Sequence, residues 1–187
     1  MAKAHRIGPK DHGRWLTWEE YAKSAWEEGY KYELVDGRLY VSPRHELPEC
    51  RVEDWLADKL RLYEDHYPES INCVFGKACV LVPGRPGLTC LMPDQTAYRG
   101  FPLELPWQDV HWKDVEPILV VEVVSHADPD KDLVRNVDLY HQVPTLQEYW
   151  ALDTRENPER PILRVHRRHA QGWQIIEFFY DDLYTSP

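Results

Sequence analysis

The sequence is short of positive charge, of cysteine and of long apolar stretches, and each shortage narrows what the protein can do. Its 187 residues hold 22 Lys and Arg against 32 Asp and Glu, a formal net charge of −10. That balance argues against attachment to nucleic acid by bulk charge; a phosphate-bearing partner needs a local basic patch inside an acidic field. The longest apolar run, 118–124, is broken by Glu122 and is too short to cross a bilayer. Cys50, Cys73, Cys79 and Cys90 show no CxxC spacing. The pattern predicts reduced, apolar fillers, with a zinc site that adds His45 or His66 as the alternative. Residues 1–14 carry Lys3, Arg6, Lys10 and Arg14 but no apolar segment of the signal-peptide kind. They are expected to form a flexible leader to one domain, 15–187, in a cytoplasmic protein. No internal repeat or low-complexity linker divides the remainder.

What the chain does have is 15 prolines and 8 tryptophans, which imply many ordered turns and an aromatic-rich interior. Thr17-Trp18-Glu19-Glu20 is a capping box and predicts a helix over 18–28, closed by Gly29. Two β-prone runs flank Asp36-Gly37 and predict a hairpin from Tyr32 to Ser42. Val52, Trp55 or Leu56, the stem of Lys59 or Leu60, and Tyr63 recur at helical spacing, giving an amphipathic helix over 49–66. Strands are expected over 71–82 and 91–98, then a proline-rich excursion over 100–117. The apolar run 118–125 reads as a central strand covered on both faces. A helix over 128–142, a strand over 148–153 and a final antiparallel pair, 162–168 with 173–180, complete the order. The class is α/β or α+β, a mixed sheet flanked by helices with a C-terminal antiparallel extension.

Two acids interrupt segments that otherwise read as core: Asp94 after Pro93, and Glu122 within 118–124. A carboxylate in a central strand is costly unless paired, protonated or bound to metal. Two on neighbouring strands suit a hard cation such as Mg²⁺, and a structural ion pair is the competing reading. Strand alternation puts Ile118, Val120, Glu122 and Val124 on one face. The position two after Glu122 is therefore Val124, which can neither donate a proton nor steady a water.

The ordered motifs Tyr32-Glu33-Leu34-Val35-Asp36-Gly37, Pro93-Asp94, Val120 to Ser125, Asp132 with Tyr140, Val143-Pro144 and Glu148 to Asp153 cover about residues 17–180. Together they resemble the Uma-type restriction-endonuclease family. The resemblance implies a restriction-endonuclease-like core of the PD-(D/E)XK superfamily and hydrolysis of DNA phosphodiesters with Mg²⁺ or Mn²⁺. It implies that Asp94 and Glu122 hold the metal and that Glu33 is the acid of the YEL motif. It also implies a lysine four residues after Asp132, where this chain has Asn136. An asparagine carries no charge, so Lys131, Arg135 and Lys77 are the candidate replacements. The family histidine falls on Cys50, and His45, on the far side of Pro48, is not expected to replace it simply.

Two functions remain open at this point. One is a Mg²⁺-dependent endonuclease, weak for want of the lysine; the other is a catalytically degenerate member acting as a binding or assembly module. Glu33, Asp94 and Glu122 are expected to converge in one pocket, and mutual repulsion to raise at least one of the pKa values of Asp94 and Glu122. Arg164, His166 and Arg168 alternate onto one strand face, either a phosphate ladder or the wet face of an edge strand. A twofold homodimer is expected, with the apolar excursion Leu103 to Trp112 as its surface.

Overall fold

The computed structural model describes residues 6–186. In chain order the strands are β1 (Arg6–Ile7), β2 (Ala25–Trp26), β3 (Tyr30–Val35), β4 (Arg38–Pro43), β5 (Cys73–Gly76), β6 (Val80–Leu81), β7 (Cys90–Leu91), β8 (Gln95–Tyr98), β9 (Leu119–Val124), β10 (Glu148–Asp153), β11 (Ile162–His169) and β12 (Gly172–Phe178). The helices are α1 (Trp18–Lys23), α2 (Leu47–His66) and α3 (Asn136–His141), with a π-helical turn at Lys131–Arg135 leading into α3. Six strands form one mixed sheet in the order β12-β11-β10-β9-β8-β5, in which only β9 and β10 run parallel. A second, four-stranded antiparallel sheet has the order β4-β3-β7-β6. This mixed α+β architecture is restriction-endonuclease-like.

Strand β9 organises the interior, because every one of its residues is buried. Leu119, Val121 and Val123 pack beneath Val52, Leu56 and Leu60 of α2, on one face of the large sheet. Val120 and Val124 pack on the other face with Leu139 and Tyr140 of α3 and Tyr149. Glu122 shares that second face by alternation, so a charge sits among aliphatic and aromatic side chains.

The hairpin forms where the sequence places it. Asp36 and Gly37 both have positive φ, 52° and 78°, the pair of left-handed residues that a type I′ turn requires. Arg85 then clamps the turn, its Nε and Nη2 donating to the two Asp36 carboxylate oxygens at 2.8 and 2.6 Å. The capping box also forms, with Glu20 N–H donating to Thr17 Oγ1 at 3.2 Å and Thr17 N–H to Glu20 Oε2 at 2.8 Å.

Several expectations are corrected. Helix α1 stops at Lys23 instead of 28, because Ala25–Trp26 is drawn into parallel pairing with Arg6–Ile7 and Trp26 packs against Tyr21 and Tyr32. Residues 6–14, set apart as a leader, pack on the domain: Ile7 is buried in the core with Leu16 and Leu34, and Gly13 N–H donates to Leu39 O. Residues 1–5 lie outside the described residues. The expected strand 71–82 divides at Lys77, whose φ of 58° breaks the extended chain, and its halves join different sheets. The strand 91–98 divides likewise at Pro93-Asp94. Cys79 and Cys90 are not separate fillers but a disulfide pair with Cα atoms 5.7 Å apart, while Cys50 and Cys73 are free.

Strand β11 is interior, with β12 at the edge, so the arginine ladder is not an edge. Its cations are also engaged within the protein. Arg164 pairs with Asp153 and Glu177, and Arg167 with Glu148. Arg168 donates to the carbonyls of Leu146, His141 and Val143, and His166 is buried against Tyr149.

Candidate active site

Three segments deliver the site, and each does so by a local rule. On β3, alternation turns Lys31 and Glu33 to one side and Tyr30, Tyr32 and Leu34 to the other, where the latter join the core with Leu39 and Cys90. Asp94 stands just outside the β8·β9 ladder, which ends at Gln95 opposite Val121. Its carboxylate continues the ladder, Oδ2 accepting the Val123 N–H at 2.8 Å. The π-helical turn is closed by Asn136 N–H donating to Lys131 O, and it brings Lys131, Asp132 and Asn136 to buried positions. An extra residue in a helical turn is a known means of aiming side chains at a site.

At the centre is Lys31, 8% exposed, whose ammonium lies 3.2 Å from Asp94 Oδ1 and 3.0 Å from Glu122 Oε2. Asp94 Oδ1 also accepts from Lys77 at 2.6 Å. Glu122 Oε1 accepts from Asn136 Nδ2 at 3.0 Å and from the Tyr140 hydroxyl at 2.9 Å, and Lys131 stands 3.8 Å from Oε2. Glu33 is held by Arg135 Nη2 at 2.7 Å and by the Met92 N–H at 3.2 Å. Asp132 accepts from Asn136 at 3.1 Å and pairs with Lys131 at 3.0 Å. Four buried carboxylates are thus interleaved with Lys31, Lys131, Arg135 and the less buried Lys77. Such a set is tolerable in a core only because each charge has an opposite partner.

The electrostatics follow. Burial opposes ionisation of Asp94, yet Lys31, Lys77, His45 and Lys131 together hold it well below the usual carboxylate range. Burial opposes Glu33 too, and Lys131, Lys31 and Arg135 bring it down to about 2. Burial pushes the Lys31 ammonium toward neutrality, but Asp94 and Glu122 raise it well above the ordinary lysine value. The expected upward shift in the Asp94–Glu122 pair therefore does not occur at Asp94, because the intervening ammonium replaces repulsion with attraction. The raised acid is Asp132, which burial and the neighbouring Glu122 push up to about 7.

Asp94 opens onto a cavity of about 800 Å³ whose lining also includes Lys31, His45, Glu53 and Lys77. Glu33 and Glu122 stand behind that wall and are not among its lining residues. The three acids are joined by shared cations, but a single concavity displays only one of them. His45 Nδ1 is hydrogen-bonded to Glu53 and lies 3.9 Å from Asp94 Oδ2, while Glu53 Oε2 takes Lys77 at 2.9 Å. Burial disfavours the His45 imidazolium, but the Glu53 hydrogen bond and Asp94 outweigh it and raise its pKa. Among the described residues, one ligand atom each from His45, Glu53 and Asp94 lies within 4.8 Å of the others, a set able to hold a metal ion. Among the described residues, no cysteine belongs to that set.

The sequence candidates Glu33, Asp94, Glu122, Asn136, Lys131, Arg135 and Lys77 all fall in this one network. Sequence reasoning missed Lys31 and Glu53, and it weighed His45 only as a zinc-ligand alternative, not expecting it to stand in simply for the family histidine. Lys31 was legible by alternation, two residues before Glu33 on the same strand face. Glu53, three residues after Cys50, faces the site from α2, and His45 reaches it because 44–46 lead directly into that helix. No curated protein matches the chain. The profile of the Uma2 family, described as putative restriction endonuclease, matches residues 18–187. With the matched span covering nearly the whole domain, the chain belongs to this family, within the restriction-endonuclease-like PD-(D/E)XK superfamily.

Proposed function

We propose that the protein is a divalent-metal-dependent endonuclease acting on DNA phosphodiesters, with Lys31 in the role that the lysine expected at 136 would have filled. The observation that carries this reading is the Lys31 ammonium, within 3.2 Å of both Asp94 and Glu122. That is where a cation is needed to stabilise charge developing on an attacking water and on the phosphate, a contribution of about 10²–10³ in rate for one such group. Asn136, donating to Glu122 and Asp132, orients the acids without adding charge. The substitution at 136 then does not by itself make the enzyme weak or degenerate.

The donor set fits a divalent ion. Asp94 is the shared ligand, and His45 and Glu53 supply a nitrogen and a carboxylate on the cavity side. Glu122, fully engaged by Lys31, Asn136 and Tyr140, serves to hold the ammonium in place. When bound, the metal lowers the pKa of a coordinated water and polarises the scissile phosphate. One imidazole among oxygen ligands accepts Mn²⁺ more readily than Mg²⁺. Lys77, 43% exposed and bridging Asp94 and Glu53, balances those acids and can swing toward solvent. Purified protein is expected to cleave DNA with Mn²⁺ and less well with Mg²⁺, and Asp94→Ala to abolish cleavage. Asn136→Lys should leave the rate no higher. Absence of metal-dependent cleavage on paired and unpaired DNA would favour the binding-module reading.

The proposed assembly is a twofold homodimer. Leu103, Leu105 and Trp107 are exposed on the excursion between β8 and β9, and a C₂ contact would cover them. Light scattering should report twice the 22.2 kDa chain mass; a 22.2 kDa particle at high concentration removes the dimer.

A further inference from the structure

We propose that the cavity beside Asp94 receives a single unpaired nucleotide, its base stacked on an aromatic wall and its phosphate at the Lys31–Asp94 end. The inference rests on the nuclease reading of the site and adds a substrate class: DNA tails, flaps and single strands in preference to uninterrupted duplex.

Two separate contact networks line the same cavity. One is polar and contains the reacting end: Lys31, Asp94, Lys77, Glu53 and His45, linked by the ion pairs given above. The other is aromatic. Trp18 stacks on Tyr21 at 6.0 Å and 27°, Tyr21 meets Trp26 at 4.9 Å, and Trp26 meets Tyr32 at 4.5 Å. Packing among these rings fixes the wall, while Trp18 itself remains 42% exposed. An aromatic surface offered next to a phosphate-handling centre has the chemistry that recognises a base, since every base has a π-face.

Size and charge select the unpaired form. The cavity, at about 800 Å³, lies in the range of about 300–1,000 Å³ typical of sites that enclose one small ligand. It takes a nucleotide and excludes a turn of duplex. Arg44 adds an exposed guanidinium to the lining, whereas Glu27 and Glu28, also lining it, oppose the entry of further phosphates. Outside the cavity, the arginines of β11 are spent on Asp153, Glu177, Glu148 and backbone carbonyls. A chain of net charge −10 with those cations committed gains little from releasing the counterions of a long duplex. Stacking does not depend on that charge balance.

The test is a fluorescence titration in EDTA, where cleavage is silent, comparing a short blunt duplex with the same duplex carrying an unpaired tail. The tailed duplex should bind about 10- to 100-fold more tightly, the fold-change that one base stacked on an aromatic side chain supplies. Trp18→Ala should erase that advantage without changing blunt-duplex binding, and Trp18→Phe should retain most of it. Equal binding of the two DNAs by the unaltered protein overturns the proposal without recourse to any variant, as does a tail preference that survives Trp18→Ala. The two readings separate cleanly. A tail preference without metal-dependent cleavage retains this site and removes the nuclease, and cleavage of duplex without a tail preference does the reverse.

Discussion

Replacing Lys31 with methionine should produce the largest loss of stability of any single substitution in the site, about 3–5 kcal/mol. The side chain is 8% exposed, and methionine fills nearly the same volume, so packing changes little. What disappears is the ammonium facing Asp94 and Glu122, at 1% and 0% exposure, and each carboxylate is left with fewer opposite charges in a low-dielectric interior. At roughly 2–4 °C per kcal/mol for a domain of this size, the melting temperature should fall by about 10 °C. Breaking a buried set costs more than removing it. The triple variant Lys31→Met, Asp94→Asn, Glu122→Gln is therefore expected to recover much of the loss, because the carbonyl of an asparagine at position 94 can still accept the Val123 N–H. Differential scanning calorimetry decides the matter. A Lys31→Met protein melting within about 2 °C of the unaltered one would mean that this ammonium does not balance the two acids, and the catalytic role given to it would go as well.

Asp132→Asn should stabilise the protein, and the gain should depend on pH in a defined window. Asp132 is raised to about 7, from an ordinary aspartate value of 3.8, by burial and by Glu122. Between those values the folded chain keeps a proton that the unfolded chain releases, so this group's contribution to stability declines as pH rises from about 4 to about 7 and is constant above. Over the full interval the decline is on the order of 4 kcal/mol. Asparagine has no proton to lose, and its carbonyl can still accept from Asn136 and Lys131. The stability difference between the variant and the parent should thus be small near pH 4 and largest at about pH 8. Glu33 works in the opposite sense and in a lower window. With its pKa depressed to about 2, its contribution is complete above the unfolded value of about 4.5 and is lost as pH falls toward 2. The Asp94 contribution is lost in the same direction at still lower pH. Urea titrations at a series of pH values separate the two windows, and a flat difference between about pH 4 and 8 would show that Asp132 titrates normally.

Where sequence reading succeeded, the information was local. Thr17 and Glu20 specify their cap by hydrogen bonds three residues apart. Asp36-Gly37 specifies its turn because few residue pairs accept two left-handed conformations in succession. The amphipathic pattern of α2 and the apolar run of β9 needed nothing beyond periodicity. Where it failed, a distant partner had intervened. Residues 24–28 lost their helix to pairing with Arg6–Ile7, and the strands around Lys77 and Pro93 were divided between two sheets. The Arg164 and Arg168 cations were consumed by groups far along the chain, from His141 to Glu177.

The sequence by itself marked two of the acids in the network, Asp94 and Glu122. A carboxylate inside an apolar strand is conspicuous because burying it unpaired is costly, and Asp94 and Glu122 are marked in that way by their neighbours alone. Only the tertiary structure decided which cation answers them. Alternation puts Lys31 on the Glu33 face of β3, but lysine and arginine side chains are long and common on surfaces, so nothing in the sequence says that Lys31, and not Lys77, Lys131 or Arg135, lies between Asp94 and Glu122. The separation arises when β3 of one sheet is laid against β9 of the other and places the Lys31 ammonium between two carboxylates, one of them 91 residues away in the chain. The same packing decided that Asp94 reaches the cavity while Glu33 and Glu122 stay behind it. Exposure at that point depends on which elements close over each side chain, a property that no single segment of the chain carries.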